Sequence, residues 1–530
     1  MTTGSDIIGE ALAAAGATHA FGIPGGEVLG LMQGLDTAGL QFVLVKHENG
    51  GGFMAEGLWH MTGALPVLVA TLGPGVANAV NVVANAMQDR VPLIFLTGCV
   101  DAAEAETYTH QIFDHQALLR PVVKGSFRLA QGAVAAGMAK AIALAVSGQP
   151  GPVHVDVPIG VAEGRSREAP VGLSLATPGL PANITGALAV LAEAKRPLAI
   201  AGVDAVNEGA GPAITAFCRA HGMPLITTYK GKGLMPESEL LCLGGAGLSP
   251  KADSILMPLM AEADVILLLG YDPIEMRAGW RNPFGAAKVI ELAPTRRDHG
   301  MHSAKITLTG AIAPTLSELS HEAPARWPDH QPQTARAALK AAFSGPGTWG
   351  PHEVFATLRA VMPPETVITA DSGAHRILVS QMWDCPGPRL MLQSSGLCTM
   401  ACAVPLAAGA KIGRPDVPVM AFVGDAGLEM GAGELATLAA RNLPVVICVL
   451  VDHSLSLIEM KQRSGQRPNL GVDFTGAGTD FAALARAFGG HGVDVDSGAS
   501  LAAEARAALS RDSFTLIAAH IGRRSYDGAF

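Results

Sequence analysis

Two aspartates each follow an apolar run, and they lie 27 residues apart. The run Val417–Val423 leads into a tight turn, Gly424–Gly427, which contains Asp425, and the run Leu443–Val451 ends at Asp452. The Ala-rich stretch between the runs predicts a helix, so the segment is expected to form a βαβ unit. The parallel strands of such a unit end on the same side of their sheet. Because ligands of open α/β sheets bind at that edge, the two carboxylates are predicted to converge on a binding site.

Two converging carboxylates suit a hard divalent cation such as Mg²⁺, which keeps coordination positions open for phosphate oxygens. The small residues Ala426 and Gly427 would let backbone N–H groups approach a diphosphate at the turn. Either aspartate taken alone is more simply a turn or helix-cap residue. Their joint placement is what favours a metal and diphosphate site.

A third acidic residue, Glu48, follows the predicted strand Phe42–Lys46 and precedes a helix that is expected to begin near Gly50. Taken alone, this glutamate is most simply a charge that stabilises the N-terminus of that helix. A sharper role comes only from comparison with known enzymes.

The βαβ segment resembles the cofactor motif of thiamine-diphosphate (ThDP) enzymes, in which a Gly-Asp-Gly turn is followed, after the next strand, by an Asn-Asn pair. The resemblance implies that the metal is bound by Asp425, Asp452 and the carbonyl of Ser454. The sequence departs from the motif at Ala426, which replaces a glycine, and at Val451–Asp452, which replaces the Asn pair. An aspartate at the second ligand position also occurs in catabolic acetolactate synthases.

The sequence around Glu48 resembles the His-Glu segment of this family. That likeness implies that its carboxyl group hydrogen-bonds the aminopyrimidine ring of ThDP and supports its proton relay. The segment Thr71–Asn81, with Asn78 as a cofactor contact, resembles the family's Ser-Gly-Pro-Gly loop. Gln111 aligns with a glutamine that lines the active site of acetolactate synthases, and His110 stands where those enzymes usually carry Phe. His110 is either a proton-transfer group or a hydrogen-bonded loop histidine.

The segment Gln393–Lys411 resembles the family's Ser-Gly-Gly-Leu-Gly-Thr-Met sequence. The likeness implies that Met400 props the cofactor into its V shape, and that Ser395, the Cys398 carbonyl and the Met400 N–H contact it. Cys398 stands where the family has Gly, so its carbonyl can serve if the backbone there does not require positive φ. Without the family context, Met400 would be interpreted as core filler.

Three α/β blocks must position these residues. The length of 530 residues suggests about three domains, and 49% hydrophobic against 16% charged residues allows large cores. Apolar strand-like runs alternate with Ala-rich helical stretches, which predicts three doubly wound parallel sheets. The domains are placed at residues 1–165, 183–325 and 350–530, and the linker-like stretches Val161–Ala182 and Glu322–Gly350 join them. The first and third blocks could share a fold, because both consist of βα units of similar size.

The resemblance assigns pyrimidine binding to the first domain and diphosphate binding to the third, with a central α/β domain between them. In this family the two halves of a site come from different subunits, which implies a homodimer at minimum and favours a homotetramer. The segment Leu267–Trp280 resembles catabolic acetolactate synthases, which carry no FAD. The expected cofactors are therefore ThDP and Mg²⁺, without FAD.

The expected reaction is decarboxylation of a 2-oxo acid, with pyruvate as the leading candidate, followed by carboligation to a second carbonyl compound. The product would be 2-acetolactate or a related 2-hydroxy ketone. The alternatives are another ThDP-dependent 2-oxo-acid decarboxylase, an aldehyde carboligase or a 2-hydroxyacyl-CoA lyase. A catalytically silent relative is the weakest alternative, because Glu48 and both aspartates are retained.

Composition disfavours several other classes of protein. A net charge of −9 without a dense Lys/Arg tract argues against nucleic acid and anionic membrane as partners. Seven scattered cysteines are typical of free thiols in a reducing cytoplasm. The N-terminus lacks the basic and apolar regions of a signal peptide, and no apolar run reaches the roughly 20 residues of a membrane span. A cytoplasmic enzyme with a small-molecule substrate is expected.

Overall fold

The computed structural model describes residues 2–172, 175, 177–297, 299–320, 326–474 and 478–530. Within them, three six-stranded parallel sheets follow one another along the chain, each flanked by helices. The prediction of three doubly wound α/β domains is confirmed.

The first domain contains β1 (Thr2–Thr3), α1 (Gly4–Ala14), β2 (His19–Gly22), α2 (Leu29–Thr37), β3 (Gln41–Leu44), α3 (Glu48–Thr62), β4 (Val67–Ala70), α4 (Pro74–Asp89), β5 (Ile94–Cys99), α5 (His115–Leu119), β6 (Gly125–Arg128), α6 (Val134–Val146), β7 (Val153–Pro158), α7 (Ile159–Glu163) and β8 (Arg165–Ser166). Its sheet has the strand order β3-β2-β4-β5-β7-β6, and β1 pairs separately with β8.

The central domain contains α8 (Thr185–Glu193), β9 (Pro197–Ala201), α9 (Val203–Asn207), α10 (Gly211–Ala220), β10 (Leu225–Thr227), β11 (Cys242–Gly245), α11 (Pro250–Glu262), β12 (Val265–Leu269), β13 (Lys288–Ala293), β14 (Ile306–Thr309) and α12 (Ile312–Leu319), and helix α13 (Gln331–Ala342) follows it. Its strand order is β11-β10-β9-β12-β13-β14. The order reverses between β9 and β12, and such a switch point is where doubly wound sheets commonly bind ligands.

The third domain contains α14 (Pro351–Val361), β15 (Val367–Ala370), α15 (Ala374–Met382), β16 (Met391–Gln393), α16 (Ala403–Gly413), β17 (Val419–Gly424), α17 (Asp425–Gly431), α18 (Glu434–Ala440), β18 (Val445–Val451), α19 (Ser456–Ser464), α20 (Phe481–Ala487), β19 (His491–Val495), α21 (Gly498–Ala508) and β20 (Thr515–His520). Its order, β16-β15-β17-β18-β20-β19, repeats that of the first domain strand for strand. The two domains share a strand topology, as the similar block sizes suggested.

The first and third domains pack together through α3 and α16. A Cβ atom on Gly57 of α3 would lie 2.2 Å from the carbonyl oxygen of Leu406, and one on Gly409 of α16 would lie 1.9 Å from that of Met54. Only glycine permits backbones to approach so closely. One cluster of buried apolar side chains spans both domains, and it includes Phe53 and Val419. These two domains therefore have a common core.

Three local predictions were wrong. The stretch 322–350 is more than a linker, because residues 331–342 form α13. The segment after Gly424 is the start of helix α17, not a tight turn. The helix expected near Gly50 begins two residues earlier, at Glu48. Residues 321–325, where the central domain was predicted to end, lie outside the described residues, and the domain limits stay predictions.

The cysteines are free thiols, and six of the seven are buried. Among the helices that the structure describes, none combines the length and apolar composition needed to cross a bilayer.

Candidate active site

The two aspartates lie at one edge of the third sheet, as the sequence predicts. Asp425 directly follows β17 and Asp452 directly follows β18, and these parallel strands are neighbours with Gly424 opposite Leu450. The backbone N–H groups of Asp452 and His453 donate to the Asp425 carboxylate at 3.3 and 2.8 Å. The two acidic residues are therefore adjacent.

Both carboxyl groups are buried. Burial raises the pKa of Asp452 to about 7, and the neighbouring Asp425 charge adds to that rise. Burial also raises the pKa of Asp425. Hydrogen bonds from the Ser456 hydroxyl and the Ser454 N–H to Asp452 offset part of this cost. A divalent cation between the carboxylates would supply the compensating charge, so this donor set fits Mg²⁺.

A cavity of about 140 Å³ opens in front of the aspartates. It brings together six of the residues predicted from sequence: Met400, Asp425, Ala426, Gly427, Asp452 and Ser454. Ala426 lies inside helix α17, a conformation that alanine favours, so its replacement of the motif glycine costs nothing in backbone strain.

The cavity also contains residues that sequence reasoning missed, among them Ser372, His375 and Tyr526. His375 Nε2 and the Tyr526 hydroxyl are buried and have no hydrogen-bond partner in the described part of the chain. Burial lowers the pKa of His375 to about 3, with a contribution from Arg376, so this ring is neutral. Phosphate oxygens would give both atoms partners and would favour a proton on His375. The available signal in the sequence was the apolar run Val367–Ala370, which precedes this segment and forms β15.

Asp371, another residue missed from sequence, organises the turns around the cavity. Its carboxylate accepts hydrogen bonds from the N–H groups of Ala401 and Cys402, both at 2.8 Å. A Cβ atom on Gly427 would lie 2.1 Å from Asp371 Oδ2. The glycine is therefore required by the close approach of α17 to this buried carboxylate.

The predicted cofactor loop is held by another domain. Asp89, at the end of α4, accepts hydrogen bonds from the N–H groups of Ser395 and Gly396 at 2.9 and 2.8 Å. Lys230 Nζ, from the central domain, lies 2.8 Å from the same carboxylate. The loop position thus depends on all three domains.

Cys398 has a φ of 57°, in the left-handed region. The predicted contact of its carbonyl with the cofactor required a backbone without positive φ, and this requirement is not met. This conformation explains why glycine suits the position. The thiol donates to the Ser395 carbonyl at 3.1 Å and accepts from Arg376 at 3.2 Å, and both contacts help to hold the strained backbone. The cofactor contacts of Ser395, Cys398 and Met400 stay predictions.

Glu48 is the buried first residue of α3, and it accepts a hydrogen bond from Asn78 Nδ2 at 3.0 Å. A Cβ atom on Gly75 would lie 3.2 Å from Glu48 Oε1, so the N-terminal turn of α4 packs tightly on this carboxylate. His115, missed from sequence, accepts from the N–H of Gly73 at 3.2 Å and thereby holds that turn. Glu48 and Asn78 are brought together as expected.

Gln111 and His110 lie on the exposed loop between β5 and α5. Gln111 lines a different cavity, of about 480 Å³, together with residues such as Phe113 and His115. The ring of His110 lies edge-on to that of Tyr108, and the two ring centroids are 6.4 Å apart. The residues that line the 140 Å³ cavity lie between 372 and 458, apart from Tyr526, so Glu48 is not one of them. One chain therefore carries two separate groups of predicted site residues.

The raised pKa of Asp452 leads to a prediction for the metal-free protein. Because the folded-state pKa of about 7 exceeds the unfolded value of about 3.9, the folded protein binds more protons between these pH values. Its thermal midpoint, relative to that of Asp452→Asn, should therefore fall as pH rises from about 4 to about 7. Thermal unfolding in the presence of a chelator measures this difference, and a constant difference over that range would contradict it.

Comparison with known proteins agrees with this geometry. Family models of thiamine pyrophosphate enzymes match the N-terminal TPP binding domain at residues 2–118, the central domain at 184–319 and the C-terminal TPP binding domain at 371–519. The chain is 30% identical to the acetolactate synthase large subunit of Corynebacterium glutamicum, over 87% of this chain and 76% of that protein.

Two other relatives extend the likeness over nearly the whole chain. The acetolactate synthase large subunit of Parasynechococcus marenigrum is 29% identical over 98% of this chain and 88% of its own length. The acetolactate synthase of Bacillus subtilis is 28% identical over 97% and 92%, respectively. With its three matched domains and its relatives of this length, the chain belongs to the thiamine pyrophosphate (thiamine diphosphate) enzymes and resembles the acetolactate synthases among them.

Proposed function

We propose that this enzyme uses ThDP and Mg²⁺ to decarboxylate pyruvate and to join the two-carbon fragment to a second pyruvate, which gives 2-acetolactate. The observation that carries the proposal is the cavity formed by Asp425, Asp452 and His375, in a chain whose relatives are named acetolactate synthases over nearly all its length. Bound ThDP supplies a nucleophilic carbon and an electron sink for loss of CO₂.

The residues of the chain have distinct parts in this proposal. Asp425, Asp452 and the Ser454 carbonyl would hold Mg²⁺, whose charge would offset that of the diphosphate, and His375 would donate to a phosphate oxygen. Glu48 holds and moves a proton at the aminopyrimidine ring, and Asn78 fixes its carboxylate at 3.0 Å. Burial of both aspartates supports these roles, since a cation would relieve the cost of their charges.

The active enzyme is proposed to be a homodimer at minimum, assembled further into a homotetramer. Exposed apolar side chains occur on both domains that carry predicted site residues. They are Tyr108 and Phe113 on the first domain, and Met430, Ile458 and Leu470 on the third. Met430 and Leu470 are 67% and 71% exposed. Pairing the first domain of one subunit with the third domain of another would cover both surfaces and would place Glu48 opposite the metal site.

The enzyme is proposed to work without FAD. At the switch point of the central sheet, Asp272 pairs with Arg90 at 2.8 Å and also with Arg297, which in turn pairs with Asp204. A Cβ atom on Gly202 would lie 2.9 Å from the carbonyl of Gly270, so the chain approaches closely at the ends of β9 and β12. The charged groups Asp204 and Asp272 at this point are thus already paired with arginines. The side chains of Glu275 and Ala278, within the synthase-like segment, lie outside the described residues.

We expect the purified enzyme to form 2-acetolactate from pyruvate without added or bound flavin, because none of the proposed steps needs a redox partner. The test combines an absorbance spectrum of the protein as purified with acid conversion of the product to acetoin. A stoichiometric flavin band would contradict the flavin-free proposal. Release of CO₂ with acetaldehyde and no acetolactate would replace carboligation by simple decarboxylation. Product analysis with aldehydes and 2-hydroxyacyl-CoA compounds tests the remaining alternatives.

A further inference from the structure

Two groups of three side chains, distinct from the predicted ligands Asp425 and Asp452, could serve as metal ligands within the described residues. One is His115, His154 and Asp156, and the other is Glu291, His299 and His302; in each, the candidate ligand atoms lie within 4.8 Å of one another. Their hydrogen bonds distinguish them.

The first group is a closed hydrogen-bond network. Its ring nitrogens are paired as follows: His115 Nε2 with the Gly73 N–H at 3.2 Å, His115 Nδ1 with Asp156 at 2.8 Å, His154 Nε2 with Thr97 at 2.8 Å and His154 Nδ1 with Ser126 at 2.7 Å. A metal on His115 Nδ1 would force the ring proton onto Nε2, where it would face the Gly73 N–H. This group therefore favours hydrogen bonding over metal binding.

The second group, Glu291, His299 and His302, does not form a closed hydrogen-bond network. Glu291 lies on β13, and both histidines lie on the loop between β13 and β14. Glu291 Oε1 and His302 Nε2 are buried and, among the residues that the structure describes, make no hydrogen bond. Their side chains are 9% and 2% exposed, and the two atoms are 3.5 Å apart. The 3.5 Å contact between these two atoms is long for a hydrogen bond, and buried polar atoms are usually satisfied more fully than this.

We propose that Glu291, His299 and His302 bind a divalent transition metal ion, and that the donor set selects Zn²⁺. Bond lengths of about 2.0–2.2 Å place two ligand atoms of a tetrahedral zinc site about 3.4 Å apart, which matches the 3.5 Å between Glu291 and His302. Two imidazoles and one carboxylate suit Zn²⁺ better than Mg²⁺ or Ca²⁺, which prefer oxygen ligands. Three protein ligands leave the fourth position to water.

The surroundings support this site. The rings of Tyr271 and Phe284 lie 5.5 and 5.8 Å from that of His302 and hold its orientation, and His299 contacts the same ring at 4.6 Å. Apolar walls of this kind limit solvent access to a bound metal. The ion would tie the loop to β13 and would thereby fix the neighbouring Arg297, which pairs with Asp272.

Binding requires one local change. The N–H of Met301 donates to His299 Nδ1 at 3.0 Å, whereas a neutral imidazole bound to a metal carries its proton on the other nitrogen. His299 must therefore give up this hydrogen bond. Its ring is exposed and can turn, while the two buried ligands are already in place.

The test is equilibrium dialysis of the full-length protein against Zn²⁺, with ThDP and excess Mg²⁺ present so that the proposed cofactor site is filled. One zinc ion per chain is expected, and Co²⁺ substitution should give the strong visible absorption of a tetrahedral site. Glu291→Gln and His302→Gln should each weaken zinc binding by at least about 100-fold, beyond the usual effect of outer-shell partners. His299→Ala should also weaken zinc binding. Because it changes only an exposed side chain, it keeps the test valid if the buried variants misfold.

The matched control is His491→Gln. His491 and Glu504 form a pair with the same 3.5 Å separation, but the histidine side chain is 43% exposed. This variant should bind zinc like the wild type. Equal zinc binding by wild type and Glu291→Gln, or the lack of stoichiometric binding to the wild type, would overturn the proposal. Zinc content is independent of turnover, so failure of the proposed acetolactate synthesis would leave this result unaffected.

Discussion

Glu48→Gln is expected to keep the fold and most of the affinity for ThDP while lowering turnover about 10²–10⁴-fold. The amide has nearly the same shape as the carboxyl group, and it can still accept the hydrogen bond that Asn78 donates at 3.0 Å. It cannot, however, hold or release a proton at the aminopyrimidine ring. Steady-state turnover of pyruvate, together with calorimetric titration of ThDP, separates loss of catalysis from loss of binding.

Glu56→Gln is the matched control for this experiment. Glu56 lies on the same helix, is also buried, and accepts a hydrogen bond from Asn85 at the same 3.0 Å distance, although it differs from Glu48 in its 3.6 Å contact with Lys230. If Glu48 were needed only as a buried carboxylate that stabilises α3, both variants would lose activity to the same extent. Near wild-type turnover by Glu48→Gln would remove this residue from the proposed mechanism.

Asp452→Ala is expected to weaken the binding of Mg²⁺ and of ThDP together, by more than the roughly 10–100-fold loss typical of outer-shell changes. The two carboxylates are proposed to share one cation that also contacts the diphosphate. Removing one ligand leaves the phosphate charge poorly compensated beside the buried Asp425. Calorimetric titration of ThDP with and without Mg²⁺ measures both affinities.

Asp452→Asn provides the informative comparison, because an amide oxygen can still bind the metal and ThDP enzymes carry asparagine at this place in the motif. It should retain most of the metal-dependent affinity. Asp494→Ala, at an exposed aspartate on β19, should change nothing. Unchanged metal-dependent affinity in Asp452→Ala would exclude this residue as a ligand.

The sequence predicted well the sheet edge of the third domain at which Asp425 and Asp452 lie, because the signals for this edge are local in the sequence. The runs that became β17 and β18 are continuous and apolar, and each is closed by a residue that interrupts the pattern. Because the two strands pair in parallel, Asp425 lies beside Asp452 whatever helix connects them. The three strands named from the sequence lie within two residues of β3, β17 and β18.

The rest depends on contacts between distant segments. Asp371 and His375 lie about 50 residues before the metal motif in sequence, and only the pairing of β15 with β17 brings them to the cavity. The left-handed backbone at Cys398 gave no signal, because the usual marker of such a conformation is glycine. Helix α17 was missed because glycines at both ends of a short segment favour a turn, and tertiary packing against Asp371 decides otherwise.

The close packing of α3 on α16 has a consequence for the synthesis of this protein. Helix α3 leaves the ribosome about 340 residues before α16, which at roughly 5–20 residues per second is a delay of about 17–70 s. During that time the glycine-lined face of α3 has no partner, and the apolar side chains that it will share with the third domain stay exposed. The N-terminal domain cannot complete its core while it is being translated, so nascent chains should bind chaperones until the last domain emerges.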